Sequence, residues 1–106
     1  MNIHKTETYT ELKFENGSTP EIINMINNLN SDLQNQNLII NLSEKINIKV
    51  EEFSLFLELV YARKEHGTSF VLVYEGIDID DIPDEINVVP SVEEAIDIIE
   101  MEAIER

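Results

Sequence analysis

Hydrophobic positions along this 106-residue chain follow two patterns, short continuous apolar runs and stripes with three- and four-residue spacing. Residues 38–42 and 69–74 are continuous runs, which are typical of strands buried on both faces of a parallel sheet. Ile22, Ile26 and Leu33 belong to a stripe at helical spacing, which is typical of an amphipathic helix. The chain therefore predicts alternating strands and helices.

Turn and capping residues place the boundaries of these elements. Ser18 or Thr19 can cap the first helix ahead of Pro20, and Gly67 suits the left-handed end of the second helix. Ser91 can cap the third helix, with Glu94 completing a capping box. Residues 4–8 and 10–14 predict two short strands or one bent strand. The predicted order then continues with helix 20–33, strand 38–42, helix 50–66, strand 69–74, an acidic loop 75–85, strand 86–89 and a helix from residue 91.

This order predicts one domain, residues 1–106, of the α/β (α+β) class. Strands that alternate with helices favour right-handed crossover connections. We expect a small mixed β-sheet with three main helices, packed mainly on one face of the sheet.

Charge narrows the function classes. The chain has 22 Asp and Glu against 7 Lys and Arg, and between Glu65 and Glu105 there are 13 acids and no Lys or Arg. Nucleic acids and anionic membranes are bound by clustered basic residues, so we expect neither as a partner. A basic protein partner is electrostatically allowed, or the charge simply keeps the protein soluble. The chain has no Cys and no apolar run of membrane-spanning length, so we expect a cytoplasmic protein without disulfides.

Five segments resemble, in order, successive pieces of the STAS (anti-sigma-factor antagonist) domain over nearly the whole chain. They are residues 17–21, 37–43, 53–67, 70–73 and 90–95. The resemblance implies a STAS-like fold and a bacterial, non-enzymatic module that binds a protein partner or a second copy of itself. It also implies a partner surface at the second helix and the loop before it. The candidate residues are Lys49, Val50, Glu51, Glu52, Phe53, Ser54 and Leu57.

The chain departs from the STAS pattern where family regulators carry a phosphorylatable Ser or Thr in an Asp-Ser-Ser-Gly-like turn. The aligned stretch here is Lys49-Val50-Glu51-Glu52, and Glu51 falls at the phosphorylated position. A phosphorylation switch at this position is therefore not expected. Glu51 is either a fixed mimic of the phosphate or an ordinary first-turn glutamate that the helix dipole favours.

The second helix is apolar around most of its circumference. One stripe contains Phe53, Phe56 and Val60, and Leu55 and Leu59 lie on another stripe about 100° away. Such a helix is either covered by its neighbours or presents apolar surface to a partner. The sequence leaves both interpretations open.

The acidic loop 75–85 supports an alternative function. Asp78, Asp80 and Asp81 could supply oxygen ligands to a divalent cation, or carboxylates to an enzyme, although the spacing does not match an EF-hand. Ile77, Ile79 and Ile82 among the acids also fit a segment with one side packed against the core.

For the leading interpretation, a protein-binding module, we expect no cofactor and no catalytic residues.

The chain also resembles short acidic bacterial proteins that are sometimes labelled ribonuclease Z. That activity needs a His-rich site for two zinc ions, and this chain has only His4 and His66. We therefore do not expect it here.

Overall fold

A computed structural model describes residues 1–33, 35–43, 45–75 and 79–105. Within these ranges the strands form one five-stranded sheet in chain order, with β1 antiparallel to β2 and the other pairs parallel. This mixed sheet with three α-helices confirms the predicted α/β (α+β) class. The elements are β1 (Asn2–Lys5), β2 (Thr10–Phe14), α1 (Thr19–Leu33), β3 (Leu38–Leu42), a 3₁₀ helix (Val50–Phe56), α2 (Leu57–Glu65), β4 (Phe70–Val73), a short 3₁₀ turn (Ile79–Asp81), β5 (Asn87–Val89) and α3 (Val92–Glu105).

Each face of the sheet contributes to a buried core. Leu12, Ile40 and Leu72 are register partners on adjacent strands and lie on what we call the first face, against α1, the 3₁₀ helix and α2. Ile39 and Val71 alternate with them and lie on the second face. Parallel crossovers are right-handed, and a sheet built in chain order therefore places successive crossover helices on the same face.

The third helix differs from the expectation that the helices pack mainly on one face. Ala95 and Ile99 of α3 pack against Ile39, Val71 and Val73 on the second face. Because α3 follows the last strand, it is not a crossover, and the handedness rule does not place it on the first face. The expectation holds for α1 and α2 and is wrong for α3.

The predicted continuous helix 50–66 consists of two helices of different pitch. Residues Val50–Phe56 form a 3₁₀ helix and Leu57–Glu65 form α2. A 3₁₀ helix repeats every three residues, so Phe53 and Phe56 are stacked on one side, and both are completely buried. A 3₁₀ run of seven residues is longer than usual.

Aromatic contacts hold the 3₁₀ helix on the sheet. The ring centroid of Phe53 lies 6.1 Å from that of Tyr74 and 6.4 Å from that of Phe56. Phe56 in turn lies 6.4 Å from Phe70 of β4. The Tyr74 hydroxyl also donates a hydrogen bond to the Ile46 carbonyl, so the loop before the 3₁₀ helix is tied to the end of β4.

The first strand is shorter and earlier than the predicted strand 4–8. The chain turns after Lys5 because the Thr6 side chain organises residues 6–9. Its Oγ1 accepts a hydrogen bond from the Tyr9 amide and donates one to the Tyr9 carbonyl, both at 3.0 Å. A local hydroxyl–backbone bond of this kind competes with strand pairing.

Arg63 is a buried charged residue on the first face. Its guanidinium donates hydrogen bonds to the carbonyl of Leu33, the last residue of α1, and to the carbonyl of Gln36 in the connection that follows. A cation is favoured there by the helix dipole and satisfies carbonyls that have no partner within the helix. Burial lowers the pKa of Arg63 from its ordinary value, because desolvation disfavours the charged form.

Within the described ranges, no helix combines the length and apolar character that a membrane-spanning segment needs. The connection from β4 to β5, as far as it is described, contributes Ile82 and Ile86 to the first-face core instead of an α-helix.

Candidate protein-binding surface

The start of the 3₁₀ helix is fixed by reciprocal hydrogen bonds. The Lys49 amide donates to Oε1 of Glu52 at 3.0 Å, and the Glu52 amide donates to the Lys49 carbonyl at 2.9 Å. Ser54 Oγ donates to the Glu51 carbonyl at 2.8 Å. The carboxylate of Glu52 therefore caps the helix, while the side chain of Glu51 is exposed one residue earlier.

The candidate partner residues separate into three groups by burial. Phe53 is 0% exposed, so its side chain is part of the core and is not offered to a partner. Glu52 and Leu57 are half-buried. The exposed members of the set are Lys49, Val50, Glu51 and Ser54.

A groove of ≈ 410 Å³ lies between the start of α1 and the 3₁₀ helix. Pro20 and Ile23 line its α1 side, and Ser54 and Leu55 line the other side. Leu55 remains 49% exposed. The groove is therefore an apolar recess that the chain itself leaves partly uncovered.

Acidic and amide groups accompany this apolar surface. Glu58 and Asn24 line the groove together with Leu55. Glu52 lies three residues before Leu55, which in a 3₁₀ helix places the two on the same side. The surface therefore combines an apolar centre with negative charge.

The sequence placed only part of this groove in the candidate set. Ser54 is the one predicted residue that lines it, and Leu55 and Glu58 were not among the candidates. The missing signal is the period: a stripe at three-residue spacing containing Phe53, Phe56 and Leu59 points inward, which turns Leu55 outward.

The acidic loop is only partly described. Asp78 lies outside the described residues, and Asp80 and Asp81 are exposed in the short 3₁₀ turn. Among the residues that the structure describes, no group of three or more His, Cys, Asp or Glu is placed to hold a metal ion.

The two histidines occupy separate elements. His4 lies in the exposed edge strand β1, and His66 follows α2 as its C-terminal cap residue. Gly67 comes next with φ of 71°, the left-handed conformation that the sequence predicts for the end of this helix.

A scan against protein-family models finds no match to this chain, and a search of the curated proteins finds no significantly similar sequence.

Proposed function

We propose that this protein is a non-enzymatic protein-binding or regulatory module of the STAS-like type, and that its partner docks in the groove between α1 and the 3₁₀ helix. The observation that supports this is Leu55, a large apolar side chain that is 49% exposed in an open recess. The same segment is where the resemblance to STAS domains predicts the partner surface. A cytoplasmic location, based on composition, is part of the proposal.

The energetics favour Leu55 as the anchor of such an interface. Covering the exposed half of a leucine side chain contributes roughly 1 kcal/mol, from about 25 cal/mol per Å² of apolar area. Interfaces concentrate their energy in a few buried residues, which are surrounded by near-neutral contacts that exclude water. Ser54, Asn24 and Glu58 provide those surrounding contacts here.

Glu51 makes the proposed interaction independent of phosphorylation at that position. Its side chain is exposed in the first turn of the 3₁₀ helix and offers no hydroxyl group that could be phosphorylated. Binding at this surface is therefore not switched by phosphorylation of residue 51.

Affinity capture with matched variants tests the proposal. The immobilised wild-type protein, exposed to native lysate, is compared with Leu55→Ser and with Ile3→Ser, which removes an equally exposed apolar side chain from β1. We expect a retained protein that is lost with Leu55→Ser and kept with Ile3→Ser. Equal retention by both variants, or no retained protein, would contradict the proposal.

Sedimentation equilibrium distinguishes the two kinds of partner. If the partner is a second copy of the chain, the wild-type protein is a dimer at micromolar concentration and Leu55→Ser is a monomer. If the partner is another protein, both are monomers and the capture experiment identifies it.

A further inference from the structure

A second cavity, of ≈ 390 Å³, opens on the second face at the end of the sheet where the parallel strands begin. Three segments enclose it: the turn at residues 6–9, the connection 35–37 and the C-terminal half of α3. We call it the Tyr9 cavity. It lies on the opposite face of the sheet from the α1/3₁₀ groove.

Side-chain hydrogen bonds hold the walls of the Tyr9 cavity in place. Asn37 Nδ2 donates to the Thr8 carbonyl at 2.8 Å, which links the turn to the connection before β3. Asn37 Oδ1 accepts from the Ser69 amide at 2.8 Å, which links that connection to the start of β4. The Thr6 hydroxyl closes the turn onto Tyr9. The cavity is therefore pre-formed, which lowers the entropy that a ligand must lose on binding.

The lining combines an apolar wall with carboxylates. Tyr9 and Ile99 pack with the second-face core and also line the cavity. Glu7 and Glu100 lie along it as well, and none of its described lining residues is Lys or Arg. Lys5 is close in sequence, but its pairing with Thr10 places it on the first face.

The end of α3 beside the cavity also combines apolar surface with negative charge. Ile104 is 84% exposed and Met101 is 62% exposed, the two highest values among the large apolar side chains of the described residues. The last turn of α3 contains no basic residue, although the negative end of a helix dipole favours cations. Among the described residues, exposed apolar surface and the negative end of the helix dipole therefore occur together.

We propose that the Tyr9 cavity binds the side chain of an arginine or lysine on a basic amphipathic segment of a partner polypeptide, whose apolar residues cover Met101 and Ile104. This second docking site is independent of the proposed function of the α1/3₁₀ groove. Lys and Arg bury their methylene stems on apolar surface while their charged heads reach polar groups. Here the stem lies against Tyr9 and Ile99, and the cation pairs with Glu100 and Glu7.

Charge complementarity selects this occupant. The only charged groups that line the cavity, among the described residues, are carboxylates. They would repel an anionic side chain and would form no ion pair with a neutral one. A cation gains from both carboxylates and from the face of the Tyr9 ring. The exposed pair Met101 and Ile104 extends beyond the reach of a single side chain, and therefore indicates a polypeptide.

Amide ¹H–¹⁵N NMR titration with N-acetyl-arginine amide at physiological salt tests the cationic site. N-acetyl-norleucine amide is the neutral control ligand. We expect saturable shifts at residues 6–9, 35–37 and 99–103 with the arginine ligand and none there with norleucine. Glu100→Gln should weaken the arginine ligand at least ~3-fold, since it removes one exposed carboxylate of the site.

Glu93→Gln is the matched control variant, because it removes the same charge from an exposed position at the other end of α3. It should leave the affinity unchanged. Shifts spread over the whole acidic surface, equal binding of norleucine, or equal weakening by both variants would overturn the proposal. The spectra of both variants also report whether each remains folded.

A peptide arm tests the polypeptide partner. A synthetic amphipathic helix of Leu and Arg should bind at least ~10-fold more tightly than the single-residue ligand and lose that gain in Met101→Ser. A peptide no tighter than the single residue would limit the site to small organic cations and would overturn the partner assignment.

Discussion

The two faces of the sheet are covered in different ways. On the first face, α1, the 3₁₀ helix and α2 form one continuous core that extends from Leu12 of β2 to Val88 of β5. On the second face, α3 covers β3, β4 and β5, and its buried core is confined to a few residues around Val71 and Ile99.

Chain connectivity explains the difference. Crossovers between parallel strands must pass over the first face, whereas the second face receives only the helix that follows the last strand. The other half of the second face, at β1 and β2, carries Asn2, His4, Glu11 and Lys13. The first face therefore provides most of the stability, and the second face leaves room for the Tyr9 cavity.

The largest expected effect on stability comes from truncating a buried isoleucine to alanine on each face of the sheet. Ile26→Ala removes a completely buried side chain of α1, and we expect a loss of about 4 kcal/mol in the free energy of unfolding. Ile99→Ala should cost about 2 kcal/mol, because Ile99 lines the Tyr9 cavity and its removal enlarges a space already open to water. Urea denaturation of both variants measures the difference.

An equal or larger loss for Ile99→Ala would show that the second face is packed as tightly as the first. The m-values of the two variants must agree for this comparison to hold.

A substitution at Arg63 tests how much its hydrogen bonds near the end of α1 stabilise the first face. Arg63→Met keeps most of the volume but removes the hydrogen bonds to the carbonyls of Leu33 and Gln36, so we expect a loss of about 2–3 kcal/mol. Lys64→Met, the exposed neighbour, should change the stability by less than about 0.5 kcal/mol. Thermal or urea unfolding of the pair measures both.

A neutral or stabilising Arg63→Met would mean that the guanidinium costs as much to bury as its hydrogen bonds return, as replacements of buried charges by apolar residues sometimes show.

The smallest effect concerns the start of α1. Ser18 Oγ accepts from the Glu21 amide at 3.4 Å and donates to Glu21 Oε1 at 3.0 Å, so Ser18→Ala should cost about 1 kcal/mol. Thr19 Oγ1 is buried and has no hydrogen-bond partner among the described residues, so Thr19→Val should be neutral or slightly stabilising. Equal losses in thermal unfolding would show that both hydroxyls cap the helix.

The alternation of strands and helices was predictable because apolar runs and helical stripes are properties of short segments. The start of α1 and the end of α2 were predictable for the same reason. Ser18 caps the first turn of α1, and Gly67 adopts the left-handed conformation just after α2, so both act within one turn of their own positions. The side of the sheet that α3 covers was not, because its stripe of Ala95 and Ile99 fits either face.

The buried Arg63 and the 3₁₀ pitch depend on contacts that sequence spacing does not encode. Arg63 is an ordinary surface residue by composition, and only the packing of α2 against the end of α1 buries it. In the candidate site, the sequence indicated the segment and Ser54. It placed Leu55 on an apolar stripe but left open whether neighbouring elements cover that side chain, which is 49% exposed.

Amide hydrogen exchange of the protein with and without the partner retained by affinity capture tests the central claim most directly. The account predicts slowed exchange at residues 20–24 and 54–58, on the first face, in the wild-type complex and not with Leu55→Ser. Protection confined to α3 and the turn at residues 6–9 would contradict the assignment of the α1/3₁₀ groove as the docking surface.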